Sequence, residues 1–235
     1  MQETGTRINK YMSQCGYCSR READRLIEKG EVWINGTLAT MGTKVMPGDT
    51  VMVHPCQKEY LLAFHKPAGI VCTTSKIDKN NVIDYLNFPE RIYPVGRLDK
   101  ESTGLLLLTN NGQLMDDVLR GSNYHEKEYI VHVNKPITDS VLQAMAQGVP
   151  ILDTITRPCK IRRMGKDCFY ITLTQGLNRQ IRRMCEYFDY RVTSLKRIRI
   201  MNIELGSLPV GKWRELTPSE IKTLKNLAQN KGEAE

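Results

Sequence analysis

The chain has 235 residues, an apolar fraction of 40% and a formal net charge of +8. This length suffices for one large domain, or for a small domain followed by a medium one. The apolar fraction is typical of a soluble globular protein and excludes a largely disordered chain. The longest leucine run, Leu105 to Leu108, is far too short to cross a bilayer, which takes about 20 apolar residues in a helix.

The cysteines indicate the compartment. There are seven, an odd number, and they lack the spacing of a disulfide framework, which is typical of a reducing environment. The first ten residues have no apolar core of a secretory signal. We therefore predict a soluble, cytoplasmic protein.

Positive charge is concentrated between Arg157 and Arg199. This stretch holds 12 Lys/Arg and 3 Asp/Glu, a net 12 − 3 = +9, so the remainder of the chain sums to 8 − 9 = −1. A basic stretch on an otherwise balanced chain indicates a face that binds a polyanion. The alternative is a solvated surface with scattered counter-ions.

The first 55 residues have the pattern of a compact helical module. Apolar residues at helical spacing predict a helix over Ile8 to Cys15. A capping box, Ser19 to Glu22, predicts a second helix that ends at Gly30. The dipeptide Asn35-Gly36 predicts a type I′ hairpin, and the turn at Pro47 to Asp49 leads to a further strand.

The remainder predicts an α+β domain with a mainly antiparallel sheet, because strands outnumber helices and regular βαβ alternation is missing. The predicted strands are Leu61 to His65, Ile70 to Thr74, Leu105 to Thr109, Tyr129 to Val133 and Phe169 to Thr174. The predicted helices are Asp139 to Gln147, Arg179 to Phe188 after an Asn178 cap, and a terminal helix opened by the capping box Thr217 to Glu220. A linker over Pro55 to Tyr60 divides the chain into domains 1–58 and 59–235.

Common cofactor and metal motifs are absent from the sequence. It has no Gly-rich nucleotide fingerprint and no zinc-deaminase pattern. Cys15 to Cys18 form a C-x-x-C without a second ligand pair, and Cys15 continues the apolar face of the first helix. A core thiol is therefore favoured over a metal or redox role.

The predicted helix after Asn178 is amphipathic. One face carries Ile181, Met184, Cys185 and Phe188, and the opposite face carries Arg179, Arg182, Arg183 and Glu186. Three guanidiniums on one side of an anchored helix can grip phosphates or a carboxylate. An ordinary amphipathic helix with a basic exterior is the alternative.

The loop from Pro94 to Gly104 is polar, flanked by glycine and set between apolar runs. Such loops carry function more often than packing. It contains Asp99, with Arg97 two residues before it. In an arbitrary sequence this aspartate would be a turn residue.

Four segments resemble a known family. GRLDKESTGLLLLTNNG, from Gly96, resembles the signature loop of the pseudouridine synthases of the small-subunit ribosomal type. The resemblance extends to KPAGIVCTT from Lys66, HEKEYIV from His125 and GLNRQIRRM from Gly176, all in the family's order. The first 55 residues resemble the S4 RNA-binding domain that precedes these catalytic domains.

The resemblance implies roles for individual residues. Asp99 is the aspartate that acts on the target uridine, Tyr129 stacks on the flipped base and Arg182 pairs with the aspartate. Arg97 helps to displace the base, and whether Arg179 shares the pairing role stays open. Further predicted substrate-binding residues are Arg183, Lys127, Arg7, Lys10, Arg20 and Arg21.

The resemblance also implies a substrate. The expected reaction converts a uridine of 23S ribosomal RNA near the peptidyl-transferase region to pseudouridine, and a tRNA anticodon uridine is a second candidate. No cofactor or metal is expected, and the protein is predicted to be a monomer. Two alternatives are a non-catalytic RNA-binding or assembly factor, which would not need Asp99, and a methyltransferase, which would need a cofactor site.

Overall fold

The computed structural model describes residues 5–53, 59–75, 78–112, 114, 118 and 124–229. It separates into two compact units. The smaller is Met1–Glu59 with Asn111–Gln113, and the larger is Tyr60–Asn110 with Leu114–Glu235. The predicted linker, Pro55 to Tyr60, lies largely outside the described residues.

The smaller unit packs two helices, α1 (Ile8–Gln14) and α2 (Arg20–Glu28), against short strands. Its described strands form two antiparallel sheets: β1 (Thr6–Arg7) with β4 (Lys44–Val45), and β2 (Val32–Ile34) between β3 (Thr37–Leu38) and β5 (Val51–Val53). Ile8 and Met12 of α1 and Ala23 and Ile27 of α2 are buried in its core.

Local signals in this unit were predicted correctly. Ser19 Oγ accepts a hydrogen bond from the Glu22 backbone N–H at 3.3 Å, which confirms the cap of α2. Asn35 and Gly36 have φ angles of 49° and 78°, the left-handed values that a type I′ turn requires.

The prediction that Cys15 is a core thiol was wrong. Helix α1 ends at Gln14, and Cys15 is the exposed residue at its C-cap. The apolar spacing continues to Cys15, but the helix ends before that position reaches the core.

The larger unit is built on a mixed sheet that is antiparallel except between β14 and β8. In the described part of the chain its strand order is β12 (Lys160–Arg163), β13 (Cys168–Leu173), β9 (Lys127–Val133), β14 (Val192–Ile200), β8 (Thr103–Thr109), β6 (Leu61–Lys66) and β16 (Trp213–Glu215). Two short strands extend it, β7 (Tyr93–Val95) on β8 and β15 (Ile203–Glu204) on β14, and β10 (Pro150–Ile151) forms a separate hairpin with β11 (Thr154–Ile155). This confirms the predicted α+β architecture.

Helices cover both faces of the sheet. In the described part of the chain these include α3 (Val82–Leu86), α4 (Asp139–Gln147), α5 (Gln180–Tyr187) and α6 (Pro218–Gln229). Strand β6 is buried along its whole length, because alternate residues enter different apolar clusters: Leu61 and Ala63 pack with α6, and Leu62 and Phe64 pack with α3. Within the described segments, none of the helices has the length and apolarity of a membrane span.

The strand predicted at Ile70 to Thr74 was wrong. Val71 makes only an isolated bridge to Asn81. Its N–H donates to the Asn80 carbonyl, and its own carbonyl accepts from the N–H of Val82. The turn that opens α3 thus satisfies the backbone that a neighbouring strand would otherwise pair.

Candidate active site

The sheet register places residues from several of the family-like segments side by side on adjacent strands. Gly104 of β8 pairs with Lys66 of β6 and with Arg197 of β14, and Arg197 pairs with Tyr129 of β9. Directly paired residues of adjacent strands present their side chains on the same face. Segments far apart in the chain therefore meet where β8 begins, next to the loop that carries Asp99.

Asp99 is paired with Arg182 of α5. The distance from Asp99 Oδ2 to Arg182 Nε is 3.5 Å. The Arg182 side chain is 11% exposed and that of Asp99 30%, so the carboxylate is the more accessible partner. Arg182 also donates through Nη2 to Ser102 Oγ at 3.3 Å and through Nη1 to the Val192 carbonyl at 3.5 Å.

The helical wheel placed Arg182 with Arg179 and Arg183 opposite the apolar face of α5. Arg182 is buried there beside the Asp99 carboxylate, which agrees with the carboxylate-gripping alternative and not with a basic exterior. The loop from Pro94 to Gly104, the aspartate loop, and strand β14 cover that position of α5. A helical wheel contains no information about residues that are distant in sequence. The open question about Arg179 is also answered: Arg179 Nη1 lies 3.4 Å from Glu101 Oε2, whereas Arg182 pairs with Asp99.

The buried side chain of Lys66 fixes the aspartate loop through hydrogen bonds to backbone carbonyls. Its side chain is fully buried, and Nζ donates to the carbonyls of Pro67 (2.7 Å), Ser102 (2.8 Å) and Lys100 (3.3 Å). These contacts use all three donors of the ammonium group. Burial lowers the pKa of Lys66 below its ordinary value.

Arg197 holds the other side of the same loop. It is 2% exposed, and it donates through Nε to the Leu105 carbonyl at 2.7 Å and through Nη1 to the Arg97 carbonyl at 3.4 Å. Sequence reasoning named neither Lys66 nor Arg197 as a site residue. For Lys66 the available signal was a charged residue at the end of an apolar strand pattern, which is costly to bury unless hydrogen bonds compensate. Arg197 has no such signal, because its strand contains other cationic residues.

Gly104 is required by the close contact between β8 and β14. Its φ is +109°, which disfavours side chains. A Cβ at this position would lie 2.6 Å from the Arg197 backbone nitrogen and closer still to the Arg197 carbonyl oxygen. The glycine that ends the signature loop thus sets the distance between the aspartate loop and β14.

Arg179 has a strained backbone. It occupies the N-cap of α5 with φ 49° and ψ 34°, and its side chain makes no capping hydrogen bond. A left-handed conformation costs a non-glycine residue roughly 1–2 kcal/mol. The predicted Asn178 cap was wrong, because the Asn178 carbonyl and Oδ1 accept hydrogen bonds from Arg183 Nε (3.1 Å) and Nη2 (3.3 Å).

Tyr129 and Lys127 lie on β9, and Arg97 is exposed in the aspartate loop. Tyr129 is half-buried and packs against two apolar clusters. One contains the buried residues of α4 and α5, and the other contains Leu62 and Phe64 of β6. Burial, with a smaller contribution from Arg197, lowers the pKa of Lys127 to about 8. The remaining predicted contacts, Arg7, Lys10, Arg20 and Arg21, are exposed on the smaller unit.

The basic stretch from Arg157 to Arg199 does not form one open face. Arg163 donates to Asp139 Oδ1 and to the Ile137 carbonyl, both at 2.8 Å. Arg199 is paired with Glu126 and Glu128 at 2.9 and 3.0 Å. Part of the local excess of positive charge is therefore compensated within the fold.

No group of three or more His, Cys, Asp or Glu side chains that could hold a metal ion occurs among the described residues. The expectation that catalysis needs no cofactor or metal stays a prediction.

Family comparisons agree with this architecture. The RNA pseudouridylate synthase family matches residues 60–187, and the S4 domain matches residues 6–51. The solved structure described as "Crystal structure of pseudouridylate synthase" superposes with a TM-score of 0.68 at 27% identity, over 93% of this chain and 99% of that one.

Curated relatives are similar over nearly the whole chain. The dual-specificity RNA pseudouridine synthase RluF of Salmonella typhi is 51% identical over 234 residues, covering 97% of this chain and 81% of that protein. The ribosomal large subunit pseudouridine synthase B of Bacillus subtilis is 34% identical, covering 95% of this chain and 97% of that protein.

The S4 match together with the pseudouridylate synthase match identifies the chain as an enzyme of the class that modifies RNA. The chain belongs to the RNA pseudouridylate synthase family, and it is therefore an isomerase. The small-subunit type inferred from the signature loop was wrong, because these relatives are named for dual specificity or for the large ribosomal subunit. The similarity to synthase F predicted from the segment around Gly176 to Tyr190 is confirmed by the RluF relative.

Proposed function

We propose that the protein converts a specific uridine of 23S ribosomal RNA to pseudouridine, with a tRNA uridine as a second substrate. The observation that carries the proposal is the Asp99–Arg182 pair within the family-matched segment. The names of the relatives, one dual-specificity RNA synthase and one large-subunit synthase, support the choice of substrates. A monomeric, cytoplasmic enzyme with an RNA-binding part at 1–58 and a catalytic part at 59–235 completes the proposal.

The reaction is a rearrangement without net gain or loss of atoms. The glycosidic N1–C1′ bond of uridine breaks, the uracil turns, C5 bonds to C1′, and the C5 proton is lost while N1 gains one. Asp99 can attack the sugar as a nucleophile or take a proton from it. Arg182 places a positive charge beside the carboxylate and orients it, since its guanidinium is itself fixed by Ser102 and Val192.

The target base must leave its stack to reach Asp99, at a cost of roughly a few kcal/mol. Stacking on the half-buried ring of Tyr129 would offset about 1–3 kcal/mol of that cost. Arg97, exposed two residues before Asp99, is placed to occupy the space that the base leaves. A non-catalytic RNA-binding protein would not require an aspartate loop that the buried Lys66 and Arg197 side chains hold in place.

The substrate assignment can be tested by mapping. The purified protein is incubated with 23S ribosomal RNA and, separately, with bulk tRNA, and pseudouridines are located by carbodiimide labelling and primer extension. We expect one new pseudouridine near the peptidyl-transferase region of the 23S RNA and one in a tRNA. Modification of tRNA alone would contradict the ribosomal assignment, and unmodified RNA in both reactions would contradict the proposed activity.

The role of the S4 domain can be tested at Arg20 and Arg21. Both are exposed in the first turn of α2, where cations oppose the helix dipole, so they do not stabilise the helix. Replacing both with glutamine should weaken binding to 23S RNA and lower the slope of log K against log salt by about 1.4, at about 0.7 for each phosphate that is no longer neutralised.

The same double variant should keep the parent rate at saturating RNA, because the S4 domain is proposed to contribute affinity and not chemistry. Thermal melting serves as the folding control. An unchanged salt slope in a variant with the parent melting temperature would show that these arginines do not bind phosphates.

A further inference from the structure

An exposed ion pair lies beside the catalytic carboxylate. Arg179 Nη1 is 3.4 Å from Glu101 Oε2, and the two side chains are 43% and 61% exposed. Glu101 follows Asp99 by two residues in the loop that Lys66 holds, and Arg179 precedes Arg182 by three residues at the start of α5. The pair therefore connects the same two elements as the Asp99–Arg182 contact, but on the solvent side.

Stability does not explain this pair. An exposed ion pair contributes little to folding, because solvent screens it and both side chains lose conformational freedom. Arg179 also has the left-handed backbone that glycine would adopt at lower cost. Strain of this kind is characteristic of positions where a side chain must be held for function.

The neighbouring arginines are committed elsewhere. Arg182 is buried against Asp99, and Arg183 donates to the carbonyl and side chain of Asn178. Arg179 is thus the arginine at this end of α5 whose anionic partner is exposed and can be exchanged. Carboxylate and phosphate oxygens accept from a guanidinium with similar geometry, so an RNA phosphate can replace Glu101.

We propose that Glu101 occupies the phosphate-binding position of Arg179 in the free enzyme, and that a backbone phosphate beside the flipped uridine displaces it. This inference rests on the proposed function, because it takes RNA as the ligand. The Glu101 backbone N–H, and then Arg179, lower the pKa of the Glu101 carboxyl, so it is charged at neutral pH. Its charge competes with RNA, and only an RNA that places a phosphate on Arg179 overcomes that competition.

A double-mutant cycle tests the exchange. The affinities of the full chain, Glu101→Gln, Arg179→Met and the double variant for a 23S RNA fragment are measured by filter binding over a range of salt. We expect Glu101→Gln to bind about two- to fivefold more tightly, the range expected for release of an exposed ion pair. Arg179→Met should bind more weakly, with a salt slope lower by about 0.7.

The decisive measurement is the effect of Glu101→Gln when Arg179 is already methionine. If Glu101 acts through Arg179, the gain in affinity disappears in the double variant. Glu186→Gln is the matched control, because it removes the same charge from an exposed residue of α5 itself, and it should leave affinity unchanged.

Equal tightening in both backgrounds, or equal tightening by Glu186→Gln, would overturn the proposal in favour of a general charge effect. Unchanged affinity of Glu101→Gln would also overturn it. Arg179→Gly is the folding control: it should melt at or above the parent temperature yet bind as weakly as Arg179→Met. Pseudouridine formation is recorded separately, so a protein that shows the coupling without modifying RNA contradicts only the proposed function.

Discussion

Replacement of Asp99 with asparagine is expected to lower the rate of pseudouridine formation by at least about 10³-fold. Asparagine keeps the size of the side chain but removes its negative charge and its nucleophilic oxygen. A positioned acid–base group is typically worth about 10²–10⁴-fold in rate, and a covalent role contributes more. The rate is measured under single-turnover conditions by carbodiimide labelling of the RNA product.

RNA affinity of the Asp99→Asn variant should stay close to that of the parent, because phosphate contacts dominate binding. The fold should also persist, since Lys66 and Arg197 hold the loop through backbone carbonyls. Asp153→Asn is the matched control, an exposed aspartate in the turn between β10 and β11 at a left-handed position that asparagine tolerates. A folded Asp99→Asn variant that modifies RNA at the parent rate would exclude Asp99 as the catalytic residue.

Replacement of Gly104 with alanine is expected to lower the free energy of unfolding by about 2 kcal/mol or more. The new methyl group would meet the Arg197 backbone at less than 3 Å, and φ is +109°. The parallel contact between β8 and β14 consists of two register pairs, Gly104 with Arg197 and Thr103 with Lys196. Relief of the clash must therefore move β8, the strand that directly follows the loop carrying Asp99.

Activity of the Gly104→Ala variant should fall together with its stability. Asp99 lies in the loop before β8, and Arg182 is hydrogen-bonded to Val192 of β14, so a shift of β8 against β14 would disturb their pairing. Unfolding by urea gives the free energy, and the RNA assay gives the rate. Gly176→Ala is the control: its Cβ meets nothing within 4 Å, and its φ is not in the left-handed region. Parent-like stability of Gly104→Ala would show that β8 and β14 separate at little cost.

Features that depend on near neighbours in the chain were predictable. The capping box of the last helix is an example: Thr217 N donates to Glu220 Oε2 at 2.8 Å, and Glu220 N donates to Thr217 Oγ1 at 3.2 Å. Residues three apart at a helix start meet whatever surrounds them, so the sequence suffices. The pairing of Asp99 with Arg182 was predicted in a different way, from family motifs, because the residues are too far apart in sequence for local reasoning.

By itself, then, the sequence determined most of the local turns and caps, the α+β class and, through its motifs, the family and the loop that carries Asp99. Local reasoning failed at the Asn178 cap, where the side chain is bound to Arg183. The tertiary structure alone decided which charges are buried. Lys66, Arg182 and Arg197 belong to segments whose local patterns resemble ordinary strands or a basic helix face. They become the supports of Asp99 only because distant strands and α5 meet at the start of β8. Burial there leaves Lys66 and Arg197 dependent on backbone carbonyls for their hydrogen bonds, and Arg182 dependent on Asp99 as its charge partner.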